Sequence, residues 1–205
     1  MIDLYSYDTS NGMRARILLE ECELPYQLHA VDLLKGEHRK PEFLALNPAG
    51  AIPVLVDDDG PDGVPLTLTQ SSAILLYLAE KTGRFLPTSA RERVLCYQWL
   101  FFAATDCATS TGMIYLSKGA VPDKSDANSM WWEERLVRQL RVADARLARS
   151  EWLAGPLTVA DFALYPIVAV RRALVEKAGD LPNLLRWADA LAARPGVARA
   201  MAWAE

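Results

Sequence analysis

Cysteine is scarce in this 205-residue chain: Cys22, Cys96 and Cys107 are odd in number and have no C-x-x-C spacing. That excludes a disulfide framework and a zinc ribbon. No metal site is expected, and a reducing compartment, the cytoplasm, is the expected location. A basic excess is also missing. The 22 Lys and Arg stand against 26 Asp and Glu, a net charge of −4. The cations are scattered, most near acids on helical segments, and read as solvated helix faces, so neither nucleic acid nor an anionic membrane has an electrostatic footprint here. Long hydrophobic runs are absent as well. The longest, around residues 94–104, is broken by polar residues at helical spacing and falls short of a membrane span. The opening MIDLYSYDTSNGMRAR has no basic start followed by an apolar run, so no secretory leader is expected. There is no internal repeat and no low-complexity segment. What is present is 51% hydrophobic and 23% charged, an ordinary globular composition with length for one large or two small cored domains.

Residues 2–6 suit a strand, and 12–24 place Ala15, Ile17, Leu18 and Leu19 on one side with charge on the other, a helix pattern closed by Pro25. Residues 26–31 alternate like a second strand. A polar stretch (35–40), a short amphipathic piece (41–46) and the turn signal Asn47-Pro48-Ala49-Gly50 follow. Strands at 54–56 and 65–69 flank an exposed, aspartate-rich loop, and 71–82 is a helix stopped by Gly83. The βαβ unit implies parallel pairing and the ββ hairpin antiparallel pairing, giving a small mixed sheet of the thioredoxin-like kind. From Ser89 onward only helical periodicity appears, at 91–118, 126–149, 158–175, 181–193 and 196–203. The expected organisation is an α/β thioredoxin-like domain at 1–83 and an all-helical domain at 89–205.

Three motifs carry a resemblance. Asn47-Pro48-Ala49-Gly50-Ala51-Ile52-Pro53-Val54-Leu55 follows the pattern N-P-x-G-x-[VI]-P-x-L. Gln70-Ser71-Ser72-Ala73-Ile74 follows [EQ]-S-x-A-I. Trp152-Leu153-Ala154-Gly155 with Thr158-Val159-Ala160-Asp161 follows W-L-x-G…[ST]-x-A-D. Each alone reads as turn, cap or core chemistry. Together, over essentially the whole chain, they resemble the cytosolic glutathione transferases. That resemblance implies a cis Ile52–Pro53 bond, with the Ile52 backbone pairing the cysteinyl part of glutathione as an added strand would. It implies that Ser71 and Gln70 hold the γ-glutamyl end at a helix start, where free amides and a partial positive charge suit a carboxylate. The third motif is a structural helix cap.

To attack, the thiol must become a thiolate. Lowering its pKa by ~2 units from about 8.5 asks for roughly 2.7 kcal/mol, which one or two donors at a helix start can supply. The stretch Asp8-Thr9-Ser10-Asn11-Gly12-Met13-Arg14 resembles the P-T-x-N-G-x-[KR] of the nu-type bacterial branch, with Asp8 in place of Pro. Thr9, Ser10 and Asn11 are the expected catalytic donors. Tyr5 is the alternative, and Thr9 and Asn11 also suit plain turn and cap roles. The loop has no Cys, which excludes the mixed-disulfide branches, and the S-S-C-S-type loop of the isomerase branch is absent. His38 stands where related branches meet the glycyl carboxylate, or is a surface histidine in a charged loop. Ala51 departs from a frequent Lys or Arg. Tyr115, Trp131 and Trp132 are the candidates for a second-substrate cleft; Tyr97, Trp99, Phe101 and Phe102 read mainly as core. The expectation is a glutathione transferase with no permanently bound cofactor and glutathione as co-substrate. It would conjugate a small apolar electrophile or reduce a disulfide or peroxide, and form a homodimer. The rival reading is a non-enzymatic relative acting through protein partners.

Overall fold

The structure, a computed structural model, describes residues 1–120 and 122–202. The segment 1–84, together with the described residues from Ala193, forms one compact unit, and Phe85–Ala192 forms a second.

In the first unit β1 (Ile2–Ser6), β2 (Tyr26–Ala30), β3 (Val54–Asp57) and β4 (Leu66–Thr69) make a sheet of order β2-β1-β3-β4. β1 runs parallel to β2, with Leu4 opposite Leu28, and antiparallel to β3, with Leu4 opposite Leu55. β3 and β4 form the expected antiparallel hairpin. The chain returns from β1 to β2 through α1 (Ser10–Glu21), and α2 (Pro41–Leu46) precedes β3. α3 (Ser71–Thr82) follows β4 and ends at Gly83 in the left-handed region, φ 67°. Leu4, Leu55, Ile17, Leu18, Ile74, Leu75 and Leu78 are fully buried between the sheet and α1 and α3. On the other face Phe43 of α2 closes over Val31 and Val54, with Tyr5, Leu46 and Ile52 packed alongside. This is the thioredoxin-like α/β architecture.

Two sequence expectations fail here. The charged side of α1 is not solvated: Arg14, Arg16 and Glu21 are all buried. Glu21 receives hydrogen bonds from Arg194 and from the Val197 amide. The last helix, α10 (Pro195–Met201), accordingly packs on α1 within the first unit, not among the helices expected for 89–205. Trp203, expected in that helix, lies outside the described residues.

The second unit holds α4 (Ala90–Phe101), α5 (Ala108–Tyr115), α6 (Asp126–Leu147), α7 (Val159–Val170), α8 (Arg172–Ala178) and α9 (Pro182–Ala192). The single helix expected over 91–118 is interrupted by π-helical turns at Phe102–Cys107 and Leu116–Ala120. The one expected over 158–175 breaks at Arg171, whose φ of −111° is not helical. α7 is buried almost throughout. Thr158 caps it, and the Asp161 carboxylate accepts from the amides of Leu153 and Thr158 and from Trp187 Nε1 at 2.9–3.0 Å. Cys22, Cys96 and Cys107 are buried thiols, none of them in a disulfide.

Candidate functional site

The loop between β1 and α1 sets the first half of the site. Thr9 is extended (φ −138°, ψ 158°), and its hydroxyl oxygen accepts from the Gly12 amide at 3.1 Å, the usual N-cap bond. Its amide donates to the Tyr7 carbonyl at 2.8 Å, which holds the loop closed. Gly12 is required by space: a Cβ there would collide with the Tyr7 carbonyl oxygen and the Ser6 hydroxyl. Because the Thr9 oxygen is used as an acceptor, its O–H stays available as a donor. Ser10 is half-buried and Asn11 is exposed at the helix start. The Asn11 Oδ1 accepts from Arg14 Nη1 at 2.8 Å.

The second half is the start of α3. Gln70 precedes it with φ 71° and ψ 108°, a region that non-glycine residues seldom occupy and that costs about 1–3 kcal/mol. Its side chain makes no capping bond and is exposed. The helix begins when the Ile74 amide bonds the Gln70 carbonyl at 3.0 Å. Ser71 is buried, and its Oγ accepts from Arg14 Nη1 at 3.1 Å. Arg14 therefore joins the first turn of α1 to that of α3 and brings Thr9, Asn11 and Ser71 into one neighbourhood.

The Asn47-Pro48-Ala49-Gly50 turn delivers the third edge. Asn47 is buried; its Oδ1 accepts from the Ala49 amide at 3.1 Å and its Nδ2 donates to the Ala51 carbonyl at 2.6 Å. Gly50 takes φ 59° against the His38 carbonyl. The Ile52–Pro53 bond is cis, as the motif implied. Among the described residues nothing bonds the Ile52 N–H or C=O, so this stretch keeps the bare backbone edge that an extended ligand can pair. His38 sits on a single 3-10 turn, Glu37–Arg39, and its Nδ1 is buried with no partner among the described residues. It is thus not the wholly solvated histidine of a charged loop.

Two tyrosines are otherwise occupied. Tyr5 stacks on His29 at 4.5 Å and packs under α2. Tyr7 lies against Asp32, and desolvation together with that carboxylate holds its phenol above the ordinary value. In the helical unit, Tyr115 is 60% and Trp131 49% exposed, and Trp131 meets Trp132 edge-to-face at 4.8 Å. Arg135 lies 5.8 Å over the Trp132 ring. Trp99 is buried, whereas Phe101, read as core, is exposed. Among the described residues no cluster of His, Cys, Asp and Glu could hold a metal ion, and no helix is long and apolar enough to cross a membrane.

Residues 10–81 match the model of the glutathione S-transferase N-terminal domain, and residues 106–195 that of the C-terminal domain. The chain belongs to the glutathione transferase family. It is 39% identical over 204 residues to the disulfide-bond oxidoreductase YfcG of Escherichia coli, covering 98% of this chain and 94% of that one. A glutathione transferase from Burkholderia graminis, solved with two glutathione molecules per subunit, superposes with a TM-score of 0.90 at 35% identity, covering 98% of this chain and 87% of that one. One from Pseudomonas putida, solved with one glutathione disulfide per subunit, gives 0.92 at 30% identity, covering 100% and 92%. Within this family frame, the residue that sequence reasoning passed over is Arg14. Sequence reasoning gives it no role beyond closing the Asp8–Arg14 motif, and otherwise reads the helical cations as solvated faces. The signal available was its i, i+3 spacing from Asn11, which lets a long donor reach back to the helix start.

Proposed function

We propose that this chain binds glutathione in its 1–83 domain and uses the bound thiolate chiefly to reduce disulfides, with conjugation to apolar electrophiles or peroxide reduction as related outcomes of the same activated thiol. The reading rests on one observation above the rest: two helix N-termini, those of α1 and α3, are tied together by Arg14, in the same unit as a backbone edge at Ile52 that has no partner among the described residues. The γ-glutamyl carboxylate takes the Ser71 amide and hydroxyl, with Gln70 alongside. The cysteinyl backbone pairs with Ile52. The sulfur takes the Thr9 hydroxyl or the Asn11 amide, with Ser10 adjacent. His38 offers its free ring nitrogen to the glycyl carboxylate.

In the reaction, the glutathione thiolate attacks one sulfur of a disulfide, the S–S bond breaks, and the departing thiolate takes a proton. A second glutathione thiolate then attacks the mixed disulfide, giving glutathione disulfide and the second free thiol. The names of the E. coli relative and the P. putida complex favour this branch. Tyr115, Trp131 and Trp132 are the aromatic surface offered to an apolar second substrate. Val94 and Phe101 lie seven residues apart on one face of α4 and are both exposed, which supports a homodimer. Three buried cysteines outside any disulfide fit a cytoplasmic location.

The test is a thiolate absorbance titration of bound glutathione. The expected pKa lies about 2 units below the free thiol's value of about 8.5; no shift would sink the thiol-activation reading. Glutathione binding without thiolate formation or turnover would favour the non-enzymatic relative, to which the exposed Asp8 and Ala51 incline.

A further inference from the structure

Arginine is seldom fully buried without acceptors around it. Arg14 is 2% exposed, and one of its nitrogens, Nη1, donates both to Asn11 Oδ1 at 2.8 Å and to Ser71 Oγ at 3.1 Å, the latter 57 residues away in sequence. A guanidinium has donors and no acceptor. Two orientations are therefore forced. The Asn11 amide turns its oxygen to Arg14, so its Nδ2 group, with two N–H donors, points away from it. The Ser71 oxygen is engaged as an acceptor, so its O–H is directed elsewhere as a donor. One buried side chain thus sets donor polarity at two helix starts, each of which already carries partial positive charge.

We propose that Arg14 is a positioning residue that presents Asn11 to the glutathione sulfur and Ser71 to the γ-glutamyl carboxylate, and so couples the two ends of the ligand. This rests on the glutathione reading given above. Arg14 acts through Asn11 and Ser71 and not by contact with the reacting sulfur. Without it the Asn11 amide can rotate its oxygen towards the thiolate, which repels it, and the Ser71 hydroxyl loses its fixed direction. A residue that only braced α1 against α3 would change stability and leave the thiolate signal of the folded protein unaltered.

The experiment uses the full chain with Arg14→Met and Arg14→Lys and reads three quantities: the melting temperature, the thiolate absorbance of saturating glutathione at fixed pH, and the Kd of S-methylglutathione, which has no thiol and reports the other contacts. Arg14→Met is expected to weaken S-methylglutathione binding by about tenfold or more, since bonds to a charged group are at stake, and to remove most of the thiolate absorbance. Lysine keeps the charge on a side chain one bond shorter than the reach of Nη1. Arg14→Lys is expected to melt near the wild type yet lose ~threefold or more in both ligand readouts. If the methionine variant does not fold, the lysine variant decides. Wild-type binding with both readouts unchanged in a folded variant, or with only one of them changed, overturns the role of Arg14 alone. A wild-type chain that binds neither compound overturns the glutathione reading and this role with it.

Discussion

The start of α7 and the starts of α1 and α3 each set a hydroxyl side chain at the helix boundary and reach opposite states. At α7, Thr158 and Asp161 are both 0% exposed, and between them they take the Ala160, Leu153 and Thr158 amides and the Trp187 indole N–H. Nothing there is left to offer a ligand. At α1 and α3, Thr9 and Ser71 each accept one bond and keep a hydroxyl proton, Asn11 stays exposed, and Gln70 holds an unfavourable φ without capping. A hydroxyl at a helix start is therefore not a site in itself. It becomes one where the protein satisfies the oxygen and leaves the proton free.

That contrast can be broken most forcefully at the closed end. Asp161→Ala removes a buried carboxylate serving three N–H donors and should cost about 3 kcal/mol or more, read as a loss of melting temperature, while the folded fraction binds glutathione as before. A loss of affinity with stability intact would reverse the assignment. The same group gives a pH signature. Burial pushes the Asp161 carboxyl up from 3.8 to about 6, against the pull of its hydrogen bonds. The folded state then holds a proton that the unfolded state has released, so the contribution of Asp161 to stability is full below 3.8, falls as pH rises towards about 6, and is level above it. The difference in unfolding free energy between the wild type and Asp161→Asn, measured across that range, checks the sign.

At the open end the order of effects inverts. Ser71→Ala should weaken glutathione binding by about tenfold while shifting stability by no more than ~1 kcal/mol, checked by calorimetric titration alongside thermal melts. Thr9→Ala is the smallest change. It removes a cap worth about 1 kcal/mol and, if Thr9 is the sulfur donor, lowers the thiolate absorbance of bound glutathione; if Asn11 is the donor, only the melt moves.

The sequence made most of the first unit readable because its signals are local. The βαβ and hairpin spacings set the parallel and antiparallel pairings, Gly83 marked a helix end, and the Asn47–Pro53 motif announced its own turn. What escaped were contacts between distant charges. Glu21 meets Arg194 and Arg14 meets Ser71 across 173 and 57 residues, and apolar periodicity counts any charged position as solvated until its partner is known. For the same reason α10 was grouped with the helices that precede it in sequence. The π-helical turn at Phe102–Cys107 lies inside an unbroken helical pattern that carries no proline or cap to mark it, and the one at Leu116–Ala120 straddles the end expected at 118.

The central claim, that the α1 and α3 starts hold open donors for glutathione, is tested most directly by a crystal structure of the chain grown with glutathione. The account predicts the γ-glutamyl carboxylate on the Ser71 amide and hydroxyl, the cysteinyl backbone paired with Ile52, and the sulfur within hydrogen-bond distance of Thr9 Oγ1 or Asn11 Nδ2. Glutathione bound elsewhere, or a sulfur facing Tyr5 with Thr9 and Asn11 out of reach, would contradict it.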